Sequence, residues 1–213
     1  MIGRVKMIRY RSVKKEASVE QIVEKSRFIA YVRPVETREE ALEFFDEIRN
    51  LHRTATHNVP AYVIGEKSQL QWASDDGEPQ GTSGAPIVQM LVKEGLTNVA
   101  VMVTRYFGGI KLGTGGLVRA YTGAAKAAVE AAGICDVKEM NTWTVKLDYS
   151  FLGKLQSLAE NGLFTIGNVT YEDKVTVDLH MEPEIQQEVT DILSNLTGGQ
   201  FTELGMRQEL VKT

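Results

Sequence analysis

Strand and helix patterns follow one another in the second half of the chain in an order that few folds accommodate. Residues 142–149 alternate apolar and polar side chains, which is the period of a half-buried strand. A helix opens at Ser150, two strands follow it, and a second helix opens at Pro183 before a last strand from Phe201. This order, βαββαβ, predicts a ferredoxin-like domain in which four antiparallel strands carry two helices on one face.

The first half predicts another unit of mixed structure, so the whole chain is expected to be of the α+β class. Thr37 and Glu40 have the spacing of a capping box, in which each side chain accepts a hydrogen bond from the other residue's amide. The helix that they open carries an apolar stripe from Ala41 to Leu51. The other expected elements are a strand over 25–35, a hairpin over 61–74, a short helix over 83–95, a buried strand over 98–104 and a helix over 116–132.

The charge of the chain changes sign near its middle. Residues 1–135 carry 18 lysines and arginines against 15 acidic residues, whereas residues 136–213 carry 6 against 13. The chain is therefore expected to form two domains, 1–135 and 136–213, joined by a linker from Asp136 to Asn141. Because binding to a phosphate backbone is driven mainly by cations, a nucleic-acid surface is expected in the first domain.

Composition excludes several classes of protein. No apolar run approaches the roughly 20 residues of a membrane span. The basic N-terminus lacks the apolar core of a secretory signal. The single cysteine, Cys135, cannot form a disulfide framework or a cysteine-based zinc site. We expect a cytoplasmic protein with no cofactor and no membrane partner, and the sequence leaves its oligomeric state open.

A glycine-rich loop is the strongest candidate for a binding site. The segment Thr104–Glu130 places five glycines between a buried strand and an alanine-rich helix, where exposed amides and the helix dipole favour an anion. The contacts expected here are the cations Arg105, Lys111 and Arg119 and the backbone of Gly113, Gly115 and Gly116. Tyr106 and Phe107 add rings that can stack. The alternative is a turn whose glycines only let the helix pack close to the sheet.

An acidic loop is the second candidate, with Ser74, Asp75, Asp76 and Glu78. Three carboxylates this close together can hold a hydrated magnesium ion or act as paired acids in hydrolysis. They lack the spacing of an EF-hand or another recognised ligand set, so no metal site is expected. Capping and helix-dipole effects alone also favour acidic residues in a turn before a helix.

His57 and Asn58 follow the first predicted helix and form the third candidate. His57 either faces the acidic loop, as a hydrolase would require, or is an ordinary hydrogen-bonded turn residue. No serine or cysteine lies in a nucleophile motif such as GxSxG, so no catalytic residue is assigned.

Several blocks of residues resemble the signature of the IMPACT/YigZ family. They are Lys25–Ile29, Ala55–Asn58, Ser74–Pro79 with Gly81 and Thr82, Thr104–Gly109 and Lys111–Tyr121, so that Tyr106 and Tyr121 are family-motif residues. The resemblance extends over residues 25–132, and the second half is similar in plan to the second domain of bacterial members. One departure lies at Val59 and Pro60, where the family pattern has a cysteine, and it argues against a thiol role.

The resemblance implies a fold and a function. The first domain is expected to have the βαβ fold seen in GHMP-type kinases and in the fourth domain of elongation factor G. The second is expected to resemble the fifth domain of that factor. Eukaryotic relatives are linked to translational control through a protein partner of the amino-acid-starvation kinase.

A non-enzymatic regulator of translation follows from this resemblance, with RNA, the ribosome or a translation-linked protein as its partner. The alternatives are a phosphate-handling or hydrolytic enzyme that uses the acidic loop with His57, and a protein-interaction adaptor.

Overall fold

A computed structural model describes residues 8–213 and separates them into two compact units, Ile8–Val137 and Lys138–Thr213. The basic residues 1–7 lie outside the described part of the chain. The division falls between Val137 and Lys138, within the segment Asp136–Asn141 where the sequence predicts a linker, but that segment is part of one long strand, β7 (Ile134–Leu147), and not a loop. Val137 and Met140 within this segment are buried, and burial of apolar side chains favours a strand over a solvated linker.

The first unit is built on an antiparallel sheet. Its elements are β1 (Ile8–Val13), β2 (Ala17–Val23), β3 (Ser26–Pro34), α1 (Arg38–Leu51), β4 (His57–Ile64), β5 (Leu70–Ala73), α2 (Gly84–Lys93), β6 (Val99–Tyr106), α3 (Gly113–Ala132) and the first residues of β7. Five strands form the sheet in the order β2-β3-β6-β4-β5. Each neighbouring pair is antiparallel, and β6 lies at the centre.

Helices cover both faces of this sheet. On one face, Val101 and Val103 of β6 belong to a hydrophobic cluster with Leu91 of α2 and Tyr121 of α3. On the other face, α1 contributes Phe44, Phe45 and Ile48 to a cluster that also contains Tyr62 and Met102. Because β6 is buried on both sides, its first five residues, 99–103, are all apolar rather than alternating.

The first two helices begin where the sequence predicts, but two details of their capping differ. Thr37 Oγ1 accepts a hydrogen bond from the Glu40 amide at 3.2 Å, as expected. The Glu40 carboxylate accepts from the amide of Glu36 at 2.7 Å, so the reciprocal bond reaches one residue further than predicted. Ser83 lies at the N-cap of α2, but its hydroxyl donates to Asp75 at 2.8 Å and makes no capping bond.

The second unit has the element order βαββαβ that its sequence predicts. After the β7 residues that belong to it come α4 (Tyr149–Ala159), β8 (Thr165–Tyr171), β9 (Val175–Met181), a 3-10 turn (Pro183–Ile185), α5 (Gln186–Thr197) and β10 (Phe201–Lys212). The strand order is β10-β7-β9-β8. Its core includes Trp143, Leu155, Val177 and Val189, so both helices pack on one face of the sheet. None of the helices within residues 8–213 is long and apolar enough to cross a membrane.

Candidate functional site

A buried ion pair lies at the C-terminal end of the central strand. Arg105 donates from Nη1 to Glu78 Oε1 at 2.6 Å and from Nη2 to Ser26 Oγ at 3.2 Å. Tyr121 of α3 donates its hydroxyl hydrogen to the same Glu78 oxygen at 2.7 Å. Arg105 and Glu78 are only 4% and 8% exposed. The sequence predicts that Arg105 contacts a ligand. In the structure its charge is instead neutralised inside the protein by Glu78.

Aromatic rings surround this pair. The Arg105 guanidinium lies 5.3 Å from the ring centre of Phe28 and 5.4 Å from that of Phe107. Tyr121 contacts Phe28 edge to face at 5.2 Å. Burial raises the pKa of Tyr121, and the hydrogen bond to the Glu78 carboxylate raises it further, so the phenol keeps its proton.

The acidic loop uses one carboxylate to hold its own backbone and another to hold the start of β4. Asp75 accepts hydrogen bonds from the amides of Gly81, Ser83 and Gly84 at 2.8, 3.2 and 2.9 Å. Burial alone would raise the pKa of Asp75, but these hydrogen bonds outweigh it and the pKa is lowered. Asp76 accepts from the Asn58 amide at 2.6 Å, and its own amide donates to Ser74 Oγ at 3.1 Å.

His57 and Asn58 do face the acidic loop. The backbone carbonyl of Asp76 lies 2.7 Å from His57 Nδ1, and a carbonyl oxygen can only accept, so Nδ1 carries the hydrogen. His57 Nε2 points toward the ion pair, 3.7 Å from Glu78 Oε1. The Asn58 side chain accepts from the Thr104 hydroxyl at 2.7 Å, which ties the start of β4 to the central strand.

Tyr106 lies apart from this cluster. Its hydroxyl is 2.9 Å from His52 Nδ1, while the hydroxyl of Tyr31 is 2.6 Å from His52 Nε2. Of the two rings expected to stack, Tyr106 and Phe107, only Phe107 reaches the Arg105 cluster. Phe107 is 46% exposed.

A cavity of about 440 Å³ opens beside the ion pair. Its walls include Arg105, Phe107, Lys111, Gly113 and Thr114, so it lies at the start of α3. No side chain caps that helix, because its N-cap residue is a leucine. Arg105 Nε is buried and has no hydrogen-bond partner among the described residues. The cavity therefore combines free helix amides with the cationic side chain of Lys111, which suits an anion.

A neighbouring cavity of about 470 Å³ lies across the glycine loop. Lys111 lines both cavities, whereas Arg119 lines only the second, together with Gln21 and Glu24. Lys111 and Arg119 are exposed, and the described residues offer neither a hydrogen-bonding partner. The three expected cations thus do not converge on one point, since Arg105 is enclosed and the other two lie along the loop.

The backbone of the glycine loop approaches another segment closely at Gly108, and not at the three glycines for which the sequence predicts it. A side chain at Gly108 would overlap the backbone of Lys25 and Ser26, and the Gly108 amide donates to Ser26 Oγ at 3.2 Å. Gly113 has a φ of +70°, which glycine adopts without penalty. At Gly115 a Cβ would make only an ordinary contact, 3.5 Å from the nearest atom. The family-like block Lys25–Ile29 was the signal that could have brought Ser26 into the site.

The chemistry open to this cluster is limited by its hydrogen bonds. Among residues 8–213, no group of three or more histidine, cysteine, aspartate or glutamate side chains is placed to hold a metal ion. Asp75 and Asp76 are occupied by backbone amides, and Glu78 is occupied by Arg105 and Tyr121. These hydrogen bonds hold one wall of the cavity in place. The open side of the cavity presents the first amides of α3 and the Lys111 side chain.

Comparisons with known proteins identify the family. Residues 24–129 match the model of the Impact N-terminal domain, and residues 145–200 match a domain of unknown function, DUF1949. The IMPACT family member YvyE of Bacillus subtilis is 39% identical over 89% of this chain and 88% of its own. YigZ of Escherichia coli, also an IMPACT family member, is 36% identical over 66% of this chain and 70% of its own.

A solved structure, described only as that of a hypothetical protein, extends the similarity to nearly the whole chain. It is 30% identical, covers 94% of this chain and 98% of its own, and superimposes with a TM-score of 0.59. From the identity and coverage of these relatives, the chain belongs to the IMPACT family.

Proposed function

We propose that the first unit binds the phosphate backbone of single-stranded RNA and that the protein regulates translation through this contact. The observation that carries the proposal is the uncapped start of α3 at the floor of one cavity, with Lys111 shared between that cavity and the next. A phosphate at the α3 amides would lie beside Lys111, and the strand could continue toward Arg119.

Phe107 suits the bases of such a strand. The residue is 46% exposed, and the Arg105 guanidinium lies 5.4 Å from the centre of its ring. Stacking of an unpaired base on a protein ring depends little on the identity of the base, so this contact supports binding without strong sequence preference. Duplex RNA keeps its bases paired and stacked, and cannot use the ring in this way.

The domain organisation is part of the same proposal. We assign residues 1–135 to a domain like the GHMP kinases and the fourth domain of elongation factor G. We assign residues 136–213 to a ferredoxin-like domain like the fifth domain of that factor. The strand order β10-β7-β9-β8 and the shared helical face support the second assignment. A protein built like two domains of a ribosomal factor fits a role on the ribosome.

The proposal is tested by fluorescence anisotropy with a labelled unstructured RNA of about 10 nucleotides, a length within the range of single-strand sites. Two neutralised phosphates predict that affinity falls about 7-fold between 50 and 200 mM salt. A duplex of the same sequence should bind more weakly, and ribosomes should retain the protein on co-sedimentation at the lower salt concentration. Absence of RNA and ribosome binding at 50 mM salt would refute the proposal.

A hydrolytic or phosphate-handling enzyme is the second candidate, because His57 Nε2 faces the Glu78 carboxylate at 3.7 Å beside the cavity. A water activated there would need His57 as its base. If the candidate is correct, a model phosphate ester is hydrolysed and His57→Gln abolishes turnover while RNA binding remains.

A protein-interaction adaptor is the third candidate function. Retention of a translation-linked protein by this chain in the absence of RNA would favour it.

A further inference from the structure

One nitrogen of His57 is a hydrogen-bond acceptor in the wall of the cavity beside the ion pair. His57 lines this cavity of about 440 Å³ together with Glu78 and Arg105. Its Nδ1 hydrogen donates to the backbone carbonyl of Asp76 at 2.7 Å. A neutral imidazole carries only one hydrogen, so Nε2 presents a lone pair. The Asp76 carbonyl therefore fixes which kind of group a ligand must offer to His57, namely a hydrogen-bond donor.

A neighbouring carboxylate strengthens this preference for a donor. Glu78 Oε1 lies 3.7 Å from His57 Nε2, beyond hydrogen-bonding distance. The same oxygen accepts hydrogen bonds from Arg105 and Tyr121 at 2.6 and 2.7 Å. Because a carboxylate held in this way has no hydrogen to give, two acceptor atoms lie close together. A hydroxyl hydrogen placed near them is attracted by both.

The start of α3 presents donors to the same cavity. Lys111, Gly113 and Thr114 line it, and no side chain caps the first amides of the helix. Arg105 lines it as well, and its buried Nε–H has no hydrogen-bond partner among residues 8–213. All these groups suit phosphate oxygens. A ligand that satisfies the whole cavity therefore combines a phosphate with a hydroxyl donor.

We infer that His57 selects RNA over DNA by accepting a hydrogen bond from a ribose 2′-hydroxyl. This inference rests on the proposed function, since it needs an RNA phosphate at the start of α3. The 2′-hydroxyl is on the ribose carbon next to the one that carries the 3′-phosphate, so a phosphate in the cavity brings a 2′-hydroxyl with it. That hydroxyl is the group by which a protein distinguishes the two nucleic acids. His57 only reads the sugar, and no bond of the RNA is broken.

The other contacts of the proposed site cannot make this distinction. Lys111 and the α3 amides bind phosphates, which are the same in RNA and DNA. Phe107 offers its ring to bases, and every base has a face that can stack. The Thr56 hydroxyl oxygen, a further acceptor in the cavity wall, already accepts from the Phe107 amide at 3.0 Å. Selection of the sugar therefore falls to His57 Nε2.

Fluorescence anisotropy of the full chain tests the inference with three labelled strands of one adenine–cytosine sequence, about 10 nucleotides long. The strands are RNA, DNA and 2′-fluoro RNA, which keeps the sugar conformation of RNA but has no hydroxyl hydrogen. The measurement is made at pH 8, where imidazole is ordinarily neutral. RNA should bind roughly fivefold more tightly than either of the other strands, the effect of one hydrogen bond between neutral groups.

Two variants of His57 separate the Nε2 acceptor from the rest of the ring. His57→Asn keeps an amide donor for the Asp76 carbonyl but has no acceptor at the position of Nε2, so it should bind the three strands with nearly equal affinity. His57→Gln extends its amide to that position and should recover part of the preference for RNA. His180→Asn is the matched control in the second unit, where Nδ1 of His180 lies 2.7 Å from the Thr142 hydroxyl. It should leave the preference unchanged.

Loss of the preference in His57→Asn, with recovery in His57→Gln, supports the role of His57. Equal binding of RNA and 2′-fluoro RNA by the unchanged protein overturns that role and leaves the RNA-binding proposal standing. This comparison needs no variant, so it holds even if a substitution impairs folding. A preference that persists in His57→Asn, shown to be folded by circular dichroism, overturns the role as well. If none of the strands binds, the proposed function is refuted and the inference falls with it.

Discussion

The guanidinium of Arg105 and the carboxylate of Glu78 lie 2.6 Å apart, and the protein buries more than nine-tenths of both residues. A buried pair of this kind contributes little net stability over an apolar pair, because removing both charges from water costs about as much as their attraction returns. Removing one partner is different, since it leaves the other charge buried and uncompensated. The pair therefore fixes the geometry of the cavity wall, and its two members depend on each other.

Glu78→Gln should lower the free energy of unfolding by about 3–5 kcal/mol, because Arg105 then has no counter-charge in a buried site. Urea denaturation followed by tryptophan fluorescence measures the loss. Glu94→Gln removes the partner of Lys126 in an exposed pair, and should cost no more than about 1 kcal/mol. Equal losses in the two variants would show that the Arg105–Glu78 pair is solvated in solution.

Gly108→Ala should destabilise the protein more than Gly109→Ala does. A methyl group at position 108 overlaps the backbone of Lys25. The overlap is relieved only if the glycine loop separates from the start of β3. Position 109 has open space but a φ of +86°, so alanine there meets backbone strain alone, about 1–2 kcal/mol. Urea denaturation of both variants checks the order, which would be reversed if the loop were free to move away from Lys25.

The helices and most strands could be predicted from the sequence because their patterns are local. The capping residue Thr37, the apolar stripe of α1 and the continuous apolar run of β6 each appear within a few positions. Strand β2 was missed because Gln21 on its more buried side and the exposed Ile22 on its outer side break the expected alternation. The first half of β7 was missed because its charged residues were interpreted as a linker, whereas the second half was predicted as the strand that begins at Thr142.

The candidate site was only partly predictable, because its contacts join residues that are distant along the chain. The sequence identified Arg105, Glu78, His57 and Tyr121 as family-motif residues, and the structure brings them together. Nothing local shows that Arg105 faces Glu78 rather than solvent, since the two are 27 positions apart. The sequence placed Lys111 and Arg119 in one loop-to-helix segment, but could not show that the loop divides two cavities.

His52 should titrate below its usual range, and Arg27→Gln should bring it back toward that range. Burial lowers the pKa of His52 from 6.5, and the nearby Arg27 cation lowers it further. Since the folded-state pKa is the lower one, the stability that neutral His52 contributes is present above about pH 6.5 and is lost as the pH falls through the folded-state value. NMR titration of the ring protons measures the shift. Arg53→Gln, an exposed change next to His52 in sequence, should leave the pKa where it is.

Asp75→Asn should destabilise the acidic loop by about 1.5–3 kcal/mol at pH 7, since an amide cannot replace every hydrogen bond that the charged carboxylate accepts. The pKa of Asp75 is lowered below 3.8, so its contribution is present above that pH and is lost as the pH falls through the folded-state value. Urea denaturation at pH 7 and at pH 3 should therefore show a difference between variant and unchanged protein that shrinks on acidification. Asp46→Asn, which affects an exposed pair with Arg49, is the control. A constant difference would contradict the assigned hydrogen bonds.

Lys111 and Arg119 should carry the salt dependence of RNA binding, whereas Arg105 should not. Each of the two is exposed and lines a cavity beside the glycine loop, so each can neutralise one phosphate. The double variant Lys111→Gln with Arg119→Gln should reduce the slope of log affinity against log salt by about 1.4, and weaken binding to different sequences by similar factors. Fluorescence anisotropy over 50–200 mM salt measures the slope, and Lys93→Gln with Lys154→Gln, two exposed lysines outside the cavities, serves as the matched control.

Phe107→Leu should lower the affinity while leaving the slope unchanged, because stacking releases no counterions. If the double variant folds and binds RNA with an unaltered slope, RNA does not cross this loop and the phosphate-binding assignment fails.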